Sequence, residues 1–76
     1  MTAIRAEATH KLIMMANQIA GGFRGQPHDH AVTSVADHIR SFWTPKMRRD
    51  IATHLTAGGS GLDPLAMAAI EKLTGK

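Results

Sequence analysis

Twice in 76 residues a short polar side chain stands directly before a proline at the head of an apolar-periodic stretch, at Thr44-Pro45 and Asp63-Pro64. The hydroxyl or carboxylate accepts from the orphan N–H groups of a first helical turn. Proline fits the first helical position because its missing N–H would have no intrahelical partner there. Two such pairs commit the second half of the chain to two short helices. Gly21-Gly22, followed by Gly25 and Pro27, is the third boundary. Glycine there is expected to supply the left-handed conformation that ends a helix, and proline discourages continuation.

Between these marks the apolar period is helical. A first helix is predicted near 3–20, with Ile4, Ala8, Leu12, Met15, Ala16 and Ile19 on one stripe. A second runs near 29–42, opened by Asp29 as N-cap. Its stripe is Val32, Val35, Ala36, Ile39 and Trp43, while Thr33, Asp37, Arg40 and Ser41 face water. A third, near 45–57, carries Met47, Ile51 and Leu55; a fourth, near 64–74, carries Leu65, Ala66, Ala69, Ile70 and Leu73. No stretch alternates with period two, so no strand is predicted. The expected fold is all-α: one domain over residues 1–76, a small cluster of about four short helices without a sheet.

Helices this short are marginal alone and must pack, and a chain this small buries a thin core. The usual staples are missing: without cysteine, disulfides and thiolate zinc sites are excluded. At 43% hydrophobic and 20% charged residues the chain reads as globular rather than disordered. No apolar run approaches the length of a membrane-spanning helix. The start, MTAIRAEATHK, lacks an apolar core after a basic segment, so no secretory signal is expected. These limits predict a soluble, intracellular, partner-dependent domain.

The net charge of +3 and pI near 10.0 raise the question of nucleic acid. The cations are dispersed, however, and only Lys46, Arg48 and Arg49 cluster. The second and third helices with their tight corner superficially resemble a helix-turn-helix, yet the third has no Asn or Gln to read base edges. A small basic nucleic-acid-binding protein is therefore the alternative reading of another class, not the expected one. His28-Asp29-His30, with His38 and His54 as distant candidates, invites a metal. Side chains at i and i+2 on a helix diverge, and no metal-ligand spacing signature is present, so no metal site is assigned. No nucleophile motif occurs, and neither glycine run carries a phosphate-loop ending, so no catalytic residue is assigned either.

Phe42 and Trp43 are the only adjacent aromatic residues, at the abrupt junction of the second and third helices. Either both fill the core there, or one packs inside and the other projects as a partner anchor. Trp and Arg are enriched at interface hot spots, which draws attention to Arg48 and Arg49. The expected partner interface is accordingly Phe42, Trp43, Met47, Arg48 and Arg49. An exposed Met14 would also suit an interface, or an irregular core.

Three blocks have a more specific character: Met15-Ala16-Asn17-Gln18-Ile19-Ala20, the run from Val35 through Phe42-Trp43-Thr44-Pro45 to Arg48, and Gly58-Gly59-Ser60-Gly61-Leu62-Asp63-Pro64-Leu65. Together they resemble the delta subunit of cytoplasmic, NAD-dependent, molybdenum-containing formate dehydrogenase, from about Leu12 to Leu73. Lys46 stands where arginine is more familiar in that family, and Ala66 where a larger aliphatic is common. The resemblance implies a non-catalytic accessory subunit that stabilises the molybdenum-bearing catalytic subunit, or a maturation factor aiding insertion of its cofactor. It also implies a complex that oxidises formate to CO₂ with reduction of NAD⁺. Such a complex carries bis-molybdopterin guanine dinucleotide, iron–sulfur clusters and FMN on its larger subunits. This chain is expected to bind none of them: it has no cysteine for a cluster and no dinucleotide fingerprint.

Overall fold

A computed structural model describes residues 2–75, with side chains from residue 8 onward. The order is α1 (Thr2–Phe23), α2 (His28–Phe42), α3 (Pro45–Thr56) and α4 (Pro64–Leu73), and no strand occurs among the described residues. The fold is all-α, as the periodicity predicts. Both cap–proline pairs are made: Thr44 Oγ1 accepts from Met47 N at 3.2 Å, and the Asp63 carboxylate accepts from Leu65 N at 3.0 Å. In each helix proline occupies the first turn.

Two helix boundaries differ from expectation. α1 does not stop at the glycine pair but runs on to Phe23, and neither Gly21 nor Gly22 has a positive φ. Glycine in a helix interior costs only about 1 kcal/mol relative to alanine, and half-buried Phe23 packs against the core one turn further on. Tertiary packing outweighs the local preference, and a turn bonding Gln26 N to Phe23 O at 3.0 Å ends the helix. α2 starts at His28, one residue early, with Pro27 at the N-cap and no side-chain cap. Asp29 therefore sits in the first turn, where its charge still suits the helix dipole. α3 and α4 each end one residue before the predicted limit.

The Gly21 and Gly22 positions yield a simple expectation. Both are exposed, and a Cβ added at either meets nothing within 4 Å. Gly21→Ala should therefore raise stability by about 0.5–1 kcal/mol, read as a higher urea midpoint with an unchanged slope.

α2 packs most extensively on α4, and α1 touches all three other helices. α2 and α3, joined through only Trp43 and Thr44, diverge from their corner; α3 packs on α1 and α4 instead. The core comprises Leu12, Ala16, Ala20, Ala31, Val35, Ala36, Ile39, Trp43, Ile51, Leu62, Leu65, Ala66, Ala69 and Ile70. Most of the predicted stripes are there. Met15, Ile19, Val32, Met47, Leu55 and Leu73 border it, whereas Ala8 is exposed and the Ile4 side chain lies outside those described. Ala20, Ala31 and Leu62 join the core without having been on a stripe. Six of the fourteen are alanines, which bring the helix axes close but add little apolar area. Trp43 is consequently the largest single contributor to this interior.

The connection between α3 and α4 is held in shape by glycine. Gly58, Gly59 and Gly61 have φ of 126°, 67° and 84°. Gly59 is buried, and a Cβ there would lie 2.9 Å from Met67 Sδ and 3.1 Å from Leu55 Cδ1. Neither the backbone nor the space admits a side chain.

Candidate docking surface at the α2–α3 corner

Where α2 ends, Trp43 N still donates to Ile39 O at 2.9 Å, but the residue itself is extended, with φ −90° and ψ 144°. Thr44 then caps α3, and Arg48 N donates to Thr44 O at 3.0 Å. This geometry separates the two aromatic neighbours. Trp43 is 5% exposed, continuing the stripe of Ala36 and Ile39 into the core, while Phe42 is 73% exposed. The Phe42 ring rests on that of His38, one helical turn earlier, with centroids 4.6 Å apart and planes at 36°. Of the two readings of the pair, one ring inside and one projecting is the arrangement found. Trp43, expected at the partner interface, has its ring in the interior of the chain itself.

The other expected interface residues also divide. Met47 is half-buried and packs against the core. Arg48 and Arg49 come together with Arg40 around a shallow groove of about 300 Å³, whose wall includes half-buried Ala52 and Leu73 above the fully buried Ile70. Phe42 does not line this groove. Residues two apart on a helix point away from each other, and Arg40 and Phe42 accordingly lie to either side of the buried stripe of α2.

The charges around the corner are unevenly matched. Arg40 Nη1 pairs with Asp37 Oδ1 at 2.8 Å, and Lys46 Nζ with Asp50 Oδ2 at 3.0 Å. Among the described residues, Arg48 and Arg49 enter no ion pair, and Asp37 and Asp50 are engaged by Arg40 and Lys46.

A second place draws distant residues together, and Asn17 is its centre. Asn17 Nδ2 donates to Gly61 O at 2.9 Å, while its Oδ1 accepts from Asp63 N at 2.8 Å. Two of the three distinctive sequence blocks are thus bonded to each other through one side chain. His54 Nε2 lies 2.7 Å from Ser60 O, to which it donates, and Arg24 Nη2 meets Asp63 Oδ1 at 2.7 Å. Beside this clamp runs a groove bordered by His10, Ile13 and Met14, the last 50% exposed. Asn17 was not singled out from the sequence. The available signal was an Asn in a helix interior beside the apolar stripe, where its side chain competes with the backbone unless it finds a partner.

The histidines are not gathered. His28, Asp29 and His30 are exposed, His38 stacks on Phe42 and His54 bonds the α3–α4 connection. Among the described residues no group of three or more His, Cys, Asp or Glu side chains is placed to hold a metal ion. No helix among them is long and apolar enough to cross a membrane.

The model of the family described as "NADH-dependant formate dehydrogenase delta subunit FdsD" matches residues 11–70, which include all three distinctive blocks. No curated protein and no solved structure matches the chain.

Proposed function

Since the chain belongs to the delta-subunit family of NADH-dependent formate dehydrogenase, we propose that it is a non-catalytic accessory subunit that binds and stabilises the molybdenum-bearing catalytic subunit in the cytoplasm. The observation that carries this reading is the match across residues 11–70, which takes in α2 and α3 whole and most of α1 and α4. In the complex, formate is oxidised to CO₂ and NAD⁺ is reduced. The molybdopterin centre, iron–sulfur clusters and FMN that supply this chemistry are assigned to the larger subunits. This chain has no cysteine with which to ligate a cluster.

Phe42 is the docking residue this reading favours. Its ring projects from a corner that the Thr44 cap and buried Trp43 hold in place, so the contact is presented by a rigid element. Binding would in turn stabilise the small chain by mass action. Phe42→Ala is expected to leave the fold intact, because the ring contributes little to the interior, and to weaken association with the catalytic subunit by about 1–2 kcal/mol. Calorimetric titration of the folded variant against that subunit checks this; unchanged affinity would contradict it.

The proposed function itself is tested by recovering the tagged chain from its native cytoplasm and determining subunit stoichiometry and molybdenum content. One copy for each mature catalytic subunit is the expected result. Substoichiometric recovery, confined to catalytic subunit lacking its cofactor, would favour a maturation factor instead.

A further inference from the structure

The groove lined by Arg40, Arg48 and Arg49 lies on a different side of α2 from Phe42. From Asp37 to Asp50 the chain carries four Lys or Arg and two Asp residues, an excess of two positive charges. The two carboxylates are already paired with Arg40 and Lys46. Arg48 and Arg49 have no partner of their own among the described residues; Glu71 borders an adjoining depression beside Arg49 but makes no ion pair with it. Beside the arginines the groove is lined by Pro45, half-buried Ala52 and Leu73, and Thr74, with the fully buried Ile70 beneath them, so its wall is largely apolar.

We propose that this groove receives an acidic segment of the catalytic subunit, with carboxylates on Arg48 and Arg49 and an aliphatic side chain on the apolar wall. The inference rests on the accessory-subunit reading and adds to it the chemistry of the surface that is recognised. Charge complementarity selects the occupant. Guanidinium forks match planar carboxylates, and they tolerate the partial desolvation that docking against an apolar wall entails. A nucleic-acid backbone is a poorer match. It offers no aliphatic group for the wall, and two unpaired arginines are few for a phosphate-tracking surface. Phe42 and the arginine groove then contact the partner on two sides of one corner, which fixes orientation as well as affinity.

The test uses the full chain and the purified catalytic subunit, titrated at low and at moderate salt. The double variant R48Q/R49Q is expected to bind at least tenfold more weakly at low salt and to lose most of the salt dependence. K46Q, at an exposed position already paired with Asp50, should change affinity less than twofold. R48K/R49K keeps the charge without the forks and should fall between wild type and the neutral variant. If the double substitution reduces helix content, R49Q alone, at an exposed site, is expected to cost at least threefold. Wild-type affinity in a folded R48Q/R49Q variant overturns the groove as a docking site while leaving the accessory role standing. Failure of the wild-type chain to bind the catalytic subunit overturns the accessory reading and the groove together. Tight binding of a random-sequence DNA duplex, lost in R48Q/R49Q and steeply weakened by salt, overturns the acidic occupant in favour of phosphate.

Discussion

Trp43→Ala should destabilise the chain by about 3–5 kcal/mol and leave it largely unfolded at 37 °C. Truncating a buried aromatic ring removes its transfer free energy and leaves a cavity that neighbours fill only partly. Here the neighbours are poor fillers, because much of the interior is alanine on fixed helical backbone: Ala16, Ala20, Ala31, Ala36, Ala66 and Ala69 are all fully buried. A small domain typically has only about 0.05–0.15 kcal/mol of stability per residue, so a loss of this size is comparable to the whole. Circular dichroism through a thermal scan reads the effect directly. Trp43→Phe, which keeps an aromatic ring in the same place, should lose less than half as much. The variant also bears on docking. Association lost in Trp43→Ala through unfolding should be largely recovered in Trp43→Phe, whereas loss of a direct indole contact would persist there. A Trp43→Ala chain that melts like wild type would contradict the core placement of the ring.

Asn17→Ala is expected to cost about 1–3 kcal/mol, a large effect for a residue that adds no apolar area to the core. It removes a donor to Gly61 O and an acceptor for Asp63 N, bonds that span 44 and 46 residues of chain. The second is the more expensive to lose. Asp63 N–H is half-buried at the residue that caps α4, so without Asn17 its donor lacks a protein partner. Asn17→Asp preserves an acceptor for Asp63 N but removes the donor to Gly61 O, and should lie between alanine and wild type. Urea unfolding gives the stability change. Amide hydrogen exchange at Asp63 supplies the local readout: protection there should fall more than in the centre of α2. Equal loss of protection throughout would mean that the clamp acts only on global stability.

The starts of α3 and α4 were legible because each is decided within four residues, by Thr44 bonding Met47 N and by Asp63 bonding Leu65 N. The core role of Trp43 was legible too, since it falls on the stripe of Ile39 and Ala36. The end of α1 was not legible. Gly21 and Gly22 are compatible with either a helix interior or a stop, and the decision came from the packing of Phe23. Asn17 was hidden for a similar reason, its partners lying on a connection whose path is set by three glycines of positive φ. The separation of Phe42 from the arginine groove follows from helix rotation, but the groove itself needed α4: Leu73 completes a surface that α2 and α3 only begin.

The preference of α2 for α4 over its neighbour α3 has a consequence for how the chain comes into being. During synthesis the first three helices emerge while the apolar face of α2 still lacks its main counterpart, because α4 follows them in the chain. Non-local pairing must close before the interior can exist, and loop-closure entropy opposes it until then. The nascent polypeptide therefore carries Val35, Ile39 and Trp43 incompletely covered until α4 has emerged, and only then acquires its native interior.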